Sequence, residues 1–127
     1  MDEQKTILVA EDEADIREAL AAALELEGFR VLQAEDGEMA VELAIKEQPD
    51  LLMFDVMMPK KDGLEALSDI RHDPWGQHVP VMILTALSDM ASVSEAIDKG
   101  GPGTEYLVKT DWKLDAVAEK VKEKLGL

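Results

Sequence analysis

Short β-branched or aliphatic runs alternate along the chain with longer stretches in which apolar residues recur every three or four positions. Short apolar runs are typical of strands in a parallel sheet, because helices cover both faces of such a sheet. Spacings of three and four place residues on one face of a helix. The predicted strands are 7–10, 29–32, 51–54, 81–84 and 106–108. The predicted helices have apolar faces at Ile16/Leu20/Ala23/Leu24, Met39/Leu43, Leu64/Leu67/Ile70, Val93/Ala96/Ile97 and Val117/Val121/Leu125.

This alternation predicts βαβ units and therefore a single α/β domain. Turn-forming residues agree with the division: Gly28 follows the first helix, Pro49 precedes the third strand, and a Gly/Pro cluster at 100–103 ends the fourth helix. The right-handed crossover rule favours an open five-stranded sheet with helices on both sides. We expect one domain over residues 1–127 without an output domain, and a ligand site beyond the C-terminal strand ends.

Composition narrows the possible functions. The chain has no cysteine, which excludes disulfides, thiolate metal sites and cysteine nucleophiles. Its net charge of −15 has the wrong sign for neutralising the phosphates of a nucleic acid, so we expect no nucleic-acid partner. Residues 1–5 are polar rather than basic and then apolar, and no apolar run has the length of a membrane span. We therefore expect a cytoplasmic protein with no membrane partner.

Candidate chemistry appears where the predicted strands end. Glu11-Asp12-Glu13 follow the first strand, Asp55 the third, Thr85-Ala86 the fourth and Lys109 the fifth. Gathered carboxylates repel each other, so they shift a pKa or require a cation, and oxygen ligands of this kind suit magnesium. A lysine and a hydroxyl at the same edge could bind an anionic group. Together these residues predict a phosphoryl site.

Each group also has a purely structural interpretation. The three acids at 11–13 could complement the dipole and free N–H groups of the helix that follows, and taken alone this capping interpretation is favoured. Asp55 could form a structural salt bridge with Lys109. Thr85 and Tyr106 taken alone are ordinary strand residues, and only their neighbours suggest a function.

Four segments in order resemble the receiver domain of bacterial response regulators: 7–13, 55–63, 80–86 and 106–109. The resemblance extends over nearly the whole chain and is closest to stand-alone, chemotaxis-regulator-like receivers. It implies a doubly wound, flavodoxin-like α/β fold with a five-stranded parallel sheet, strand order 2-1-3-4-5 and five helices.

The resemblance also implies roles for three acidic residues at the strand ends. Asp55 would take a phosphoryl group from a phosphohistidine of a histidine kinase or of a histidine phosphotransfer protein. Asp12 and Asp55 would each give an oxygen to Mg²⁺, or to Mn²⁺, and the backbone carbonyl of Met57 would be the third protein ligand. Glu11 would act on the cation through a bound water.

Four further residues would respond to the phosphoryl group. Lys109 would neutralise its oxygens, and Thr85 would turn its hydroxyl onto one of them near the Ala86 N–H. Tyr106 would follow Thr85 inward. This movement would change the face formed by the fourth helix, fifth strand and fifth helix, which would bind a downstream protein that the sequence does not identify.

The chain departs from the family pattern at positions 11 and 110. Glu11 stands where the family usually has Asp, and Thr110 stands where it usually has a proline after a cis bond. A non-proline cis bond costs about 2.5–4 kcal/mol, so the sequence leaves open whether this peptide is cis or is trans with a re-routed loop. The two positions that flank the hydrolytic water in receivers are Met57 and Leu87, which are apolar. We therefore expect slow autodephosphorylation.

Two alternative functions remain open. A magnesium-dependent phosphohydrolase of the haloacid dehalogenase type would use Asp55 as its nucleophile, but it would carry a second Asp where this chain has Met57. A receiver-like docking module that is never phosphorylated would tolerate the changes at Glu11 and Thr110.

Overall fold

The structure is a computed structural model, and it describes residues 4–85, 104–108 and 113–127. Its strands are β1 (Thr6–Ala10), β2 (Arg30–Ala34), β3 (Leu51–Asp55), β4 (Val81–Thr85) and β5 (Thr104–Val108). Its α-helices are α1 (Ala14–Leu26), α2 (Gly37–Glu47), α3 (Gly63–Arg71) and α4 (Leu114–Lys124), with a short 3₁₀ helix at Trp75–Gln77. The label α4 belongs to the last described helix, which corresponds to the fifth helix predicted from sequence.

The described strands form one parallel sheet in the order β2-β1-β3-β4-β5. The strand order reverses between β1 and β3, and in open α/β sheets the ligand site lies beyond the C-terminal ends of the strands at such a reversal. The prediction of a doubly wound parallel sheet is confirmed. The predicted helix around 93–97 lies outside the described residues.

Two apolar layers cover the sheet, because alternate residues of each strand point to opposite faces. Leu8 and Phe54 belong to the layer that packs against α2 and α3, whereas Val9 and Met53 belong to the layer beneath α1 and α4. All five residues of β1 and all five of β3 are buried. Apart from Thr6, the residues of β1 and β3 are therefore apolar until the C-terminal edge of the sheet.

The buried face of α2 differs from the predicted one. Ala40 and Ala44 are the helix's fully buried apolar residues, whereas Met39 is 38% exposed and Leu43 is only partly buried. Alanine adds little to an apolar pattern, so larger neighbours dominated the prediction. The small side chains allow α2 to lie close to its neighbours.

The first helix ends where the glycine predicts. Gly28 has a φ of 95°, a conformation that glycine adopts without strain. Phe29 donates its N–H to the carbonyl of Leu24 at 3.2 Å, so it still belongs to the helix end. For this reason β2 begins at Arg30, one residue later than predicted.

The last residue of α3 is a half-buried arginine, Arg71, which binds the segment that follows the helix. Arg71 donates through one Nη to the carbonyl oxygens of Gly76 at 2.9 Å and Val79 at 2.7 Å. Burial lowers the pKa of the Arg71 guanidinium below its ordinary value. The contact fixes the segment between α3 and β4.

No helix among the described residues is both long and apolar enough to cross a bilayer.

Candidate functional site

The backbone of Glu11 continues β1 by one residue beyond its last paired strand position. Its N–H donates to the carbonyl of Ala34 at 3.1 Å, and its own carbonyl accepts from an Nη of Arg17 at 2.8 Å. The side chain is fully buried, and its Oε2 accepts a 3.3 Å hydrogen bond from the Glu13 N–H. Both backbone polar groups of Glu11 are therefore hydrogen-bonded. These bonds fix the position of the backbone from which the carboxylate side chain extends.

The last residue of β3 is Asp55, which is 4% exposed. Its Oδ1 accepts a hydrogen bond from the Met57 N–H at 3.3 Å. Because Ala10 pairs with Phe54 in the parallel register, the next residue on each strand brings Glu11 beside Asp55. Two acidic residues therefore meet at the edge of the sheet through strand register alone.

Three carboxylates converge at this edge. Each of Glu11, Asp12 and Asp55 offers an oxygen, and these atoms all lie within 4.8 Å of one another. Glu11 and Asp55 are buried, whereas Asp12 is exposed. Hard oxygen donors at such distances match the ligand preference of Mg²⁺, which usually takes one or two carboxylates and keeps several waters. The donor set therefore fits magnesium.

The three acids at 11–13 differ in their contacts with the start of α1. Glu13 is the N-cap residue of α1, but its side chain makes no capping hydrogen bond. Glu11 accepts a hydrogen bond from the N–H of this N-cap residue, and its carboxylate also lies near those of Asp12 and Asp55. By contrast, Asp62 caps α3, with a capping box in which Glu65 is the reciprocal partner.

The loop 56–62, which joins β3 to α3, folds back onto the strand end. Val56 is buried and donates its N–H to the carbonyl of Leu84 at 3.0 Å, which adds one more bond to the sheet. Gly63 donates its N–H to the Val56 carbonyl at 2.8 Å. A Cβ on Gly63 would lie 2.1 Å from the carbonyl oxygen of Asp55. Gly63 therefore allows the loop to close directly behind the acidic residue.

The two methionines of this loop differ in environment. Met58 is buried and joins the core layer beneath α2 and α3. Met57 is 57% exposed and so lies outside the core. An apolar, solvent-facing side chain thus follows Asp55 by two residues.

Backbone positions of two other predicted site residues are known. Thr85 is the last residue of β4 and pairs with Val108, while Tyr106 pairs with Ile83 in the middle of β5. The strand ends after Asp55 and Thr85 therefore share one edge of the sheet. The predicted site residues Ala86, Leu87 and Lys109, together with Thr110, lie outside the described residues.

Sequence patterns did not reveal every residue that shapes the site. Arg17 donates to the Glu11 carbonyl and, at 3.3 Å, to the side-chain oxygen of Gln33. In sequence it is one exposed charge on a helix, and nothing distinguishes it. Gly63 gives no local sign of its close contact either, because an Asp-Gly pair is typical of an ordinary turn.

Comparison with known proteins identifies the family. Residues 7–122 match the family described as response regulator receiver domain. The chain is 43% identical over 106 residues to the transcriptional regulatory protein PdtaR of Mycobacterium tuberculosis, covering 83% of this chain and 49% of PdtaR. It is 37% identical over 103 residues to the DNA-binding dual master transcriptional regulator RpaA of Synechocystis sp., covering 81% of this chain and 42% of RpaA. The chain thus spans less than half the length of these two relatives.

A solved structure agrees in fold. The receiver domain of the sensor histidine kinase PA1611 from Pseudomonas aeruginosa superposes with a TM-score of 0.87 and 27% identity, covering 98% of this chain and all of that one. That domain has a magnesium ion coordinated in its active-site cleft. The protein belongs to the response regulator receiver domain family. It is a phospho-accepting domain of two-component signalling, a signalling module rather than a conventional enzyme.

Proposed function

We propose that Asp55 is the phosphoryl acceptor. A carboxylate oxygen of Asp55 attacks the phosphorus of a phosphohistidine on a histidine kinase or histidine phosphotransfer protein. The P–N bond breaks, the imidazole leaves with the bonding electrons, and an aspartyl phosphate forms. The observation that carries this proposal is the buried Asp55 at a strand end, within 4.8 Å of oxygens from Glu11 and Asp12, in a member of the receiver family.

Magnesium would be held by side-chain oxygens of Asp12 and Asp55 and by the backbone carbonyl of Met57, with Glu11 acting through water. Mn²⁺ would use the same ligands. When bound, the cation supplies positive charge that offsets the carboxylates and the incoming phosphoryl oxygens. The protein's own contribution is to hold Asp55 in position, since phosphoryl transfer depends mainly on positioning and electrostatics.

The switch would use residues at the neighbouring strand ends. Lys109 would neutralise phosphoryl oxygens, Thr85 would donate its hydroxyl to one of them near the Ala86 N–H, and Tyr106 would follow Thr85. The fourth helix predicted from sequence, around 93–97, would then form the changed face together with β5 and α4. Two or three charge-assisted hydrogen bonds of about 1.5–3 kcal/mol each reach the roughly 5.5 kcal/mol that inverts a 1:99 equilibrium.

Within residues 1–127 we place one receiver domain that acts in the cytoplasm and reports to a protein partner. Its net charge of −15 argues against nucleic-acid contacts by these residues. The match with the DNA-binding relative RpaA covers only 42% of the length of RpaA. DNA binding by RpaA is therefore compatible with the absence of nucleic-acid contacts proposed for these residues.

The aspartyl phosphate should decay slowly. The side chain two residues after Asp55 is Met57, which is exposed and cannot orient an attacking water. Leu87 would occupy the second flanking position and is equally apolar. Replacing Met57→Asn together with Leu87→Glu should accelerate loss of the phosphoryl group, measured by intact mass over time. Unchanged or slower decay would remove the basis for this expectation.

One assay separates the three candidate functions. The protein is incubated with Mg²⁺ and acetyl phosphate, and intact mass is recorded for the wild type, Asp55→Asn and the control Glu42→Gln, on the exposed face of α2. A receiver gains one phosphoryl group in the wild type and in the control, but not in Asp55→Asn. Asp69 would be a poorer control position, because it pairs with Lys61 of the loop 56–62. Turnover of acetyl phosphate without accumulation would indicate the phosphohydrolase, and no reaction with any phosphodonor would indicate the docking module.

A further inference from the structure

A close backbone contact joins the start of α2 to the loop 56–62. Gly37 is the first residue of α2, is buried, and has no positive φ. A Cβ at this position would lie 1.8 Å from the carbonyl oxygen of Lys61 and 2.5 Å from its carbonyl carbon. The backbone conformation at Gly37 is open to any residue, but the Lys61 carbonyl leaves no room for a side chain. The absent side chain therefore sets how closely the loop approaches α2.

A charged contact lies beside this backbone contact. Asp36 is buried and caps α2 by accepting a 2.8 Å hydrogen bond from the Met39 N–H. Its second oxygen lies 3.7 Å from Nζ of Lys60, which has a left-handed φ of 68°. Lys61 in turn pairs with Asp69 of α3. The loop is thus held against two helices at consecutive residues.

The other end of the same loop is attached to the strand that carries Asp55. Val56 donates to the Leu84 carbonyl and accepts from Gly63, whose α-carbon lies against the Asp55 carbonyl. Only residues 57–59 lie between this anchor and Lys60. A displacement of the loop at residues 60–61 must therefore be absorbed over three residues, the first of which is Met57.

We infer that Gly37 is a positioning residue for the metal site. It would act through the Lys61 carbonyl on the loop that presents the Met57 carbonyl to the cation. The inference rests on the proposed function, since Met57 is a proposed ligand. Groups that orient ligands without touching the metal typically change metal affinity about 10-fold to 100-fold when they are altered.

The test compares two glycines in equally tight places. Gly37→Ala is compared with Gly76→Ala, because a Cβ at Gly76 would lie 2.0 Å from the Ile70 carbonyl, on the side of the sheet where β4 begins. Mg²⁺ affinity is measured by titration calorimetry, and folding by the urea midpoint without Mg²⁺. We expect Gly37→Ala to bind Mg²⁺ about 10-fold more weakly, and Gly76→Ala to keep wild-type affinity whatever its midpoint.

Two results would overturn the inference. Either both variants keep wild-type affinity, or both lose it equally, which would indicate general destabilisation. Should Gly37→Ala fail to fold, wild-type amide spectra decide. On Mg²⁺ addition the Gly37 and Met57 signals should both shift while Gly76 stays, and an unmoved Gly37 signal would contradict the inference. If the wild type itself neither binds Mg²⁺ nor accepts a phosphoryl group, the proposed function fails first.

Discussion

Neutralising Asp55 should stabilise the protein when no divalent cation is present. Glu11 and Asp55 are both buried, and their carboxylate oxygens lie within 4.8 Å of each other. Two unit charges at 4.8 Å repel by roughly 3.5 kcal/mol at an effective dielectric constant of about 20. The N–H groups of Glu13 and Met57 donate hydrogen bonds to these two carboxylates and offset part of this repulsion. We expect Asp55→Asn to raise the free energy of unfolding by about 1–3 kcal/mol.

Magnesium should reverse the order of stability, so that the wild type becomes more stable than Asp55→Asn. A cation that binds only the folded state stabilises it by about 2.7 kcal/mol when present at roughly 100 times its dissociation constant. The wild type should gain this stabilisation, and Asp55→Asn should gain little, because one proposed ligand is lost. Asn keeps an acceptor for the Met57 N–H, so the change is chiefly one of charge.

Urea unfolding followed by circular dichroism, in a chelator and in excess Mg²⁺, measures both effects. The matched control is Glu42→Gln, which removes one negative charge from the exposed face of α2. This control should change stability by less than about 0.5 kcal/mol in either buffer. If Asp55→Asn is less stable than the wild type in chelator, the carboxylates do not repel as the geometry requires.

Three further substitutions test the supports around the site. Gly63→Ala should cost about 1–3 kcal/mol and weaken Mg²⁺ binding, because its Cβ would lie 2.1 Å from the Asp55 carbonyl; urea unfolding and calorimetry measure both. Asp62→Ala should cost about 1 kcal/mol in urea unfolding through loss of the capping box, whereas Asp62→Asn should cost less. Arg71→Met should cost about 1–3 kcal/mol in urea unfolding, because the Gly76 and Val79 carbonyls lose their donor.

Each of these has a contradicting outcome. Wild-type Mg²⁺ affinity in Gly63→Ala would show that the strand end tolerates a shifted loop. Equal losses in Asp62→Ala and Asp62→Asn would show that the cap is not the cause. Wild-type stability in Arg71→Met would show that water replaces the guanidinium at both carbonyls.

The alternation of apolar runs and helical spacings was enough to predict the doubly wound parallel sheet and its edge. It succeeded because the two central strands are buried on both faces, which leaves no room for polar residues until the strands end. Asp55 and Glu11 were therefore visible in sequence as the first charges after apolar runs. The family resemblance then supplied roles that strand position alone could not.

Other features depended on distances that no sequence pattern encodes. The buried face of α2 consists of alanines, which are too weakly apolar to dominate a periodic pattern over Met39. Taken alone, the acids at 11–13 favoured a capping interpretation in sequence, and only the structure showed that Glu11 and Asp12 converge with Asp55.

The position of acidic residues after the strands, at one edge of a parallel sheet, was predictable from the sequence, because the apolar pattern indicates both burial and chain direction. How closely those residues approach, and which contacts hold them, became clear only from the folded structure. Arg17 lies against Glu11, Gly63 against Asp55, and Gly37 against Lys61. The contacts of Gly63 and Gly37 depend on an absent side chain, and that of Arg17 depends on how α1 packs beside the end of β1; neither property leaves a local signal. These contacts arise when strand register and helix packing bring separate segments together.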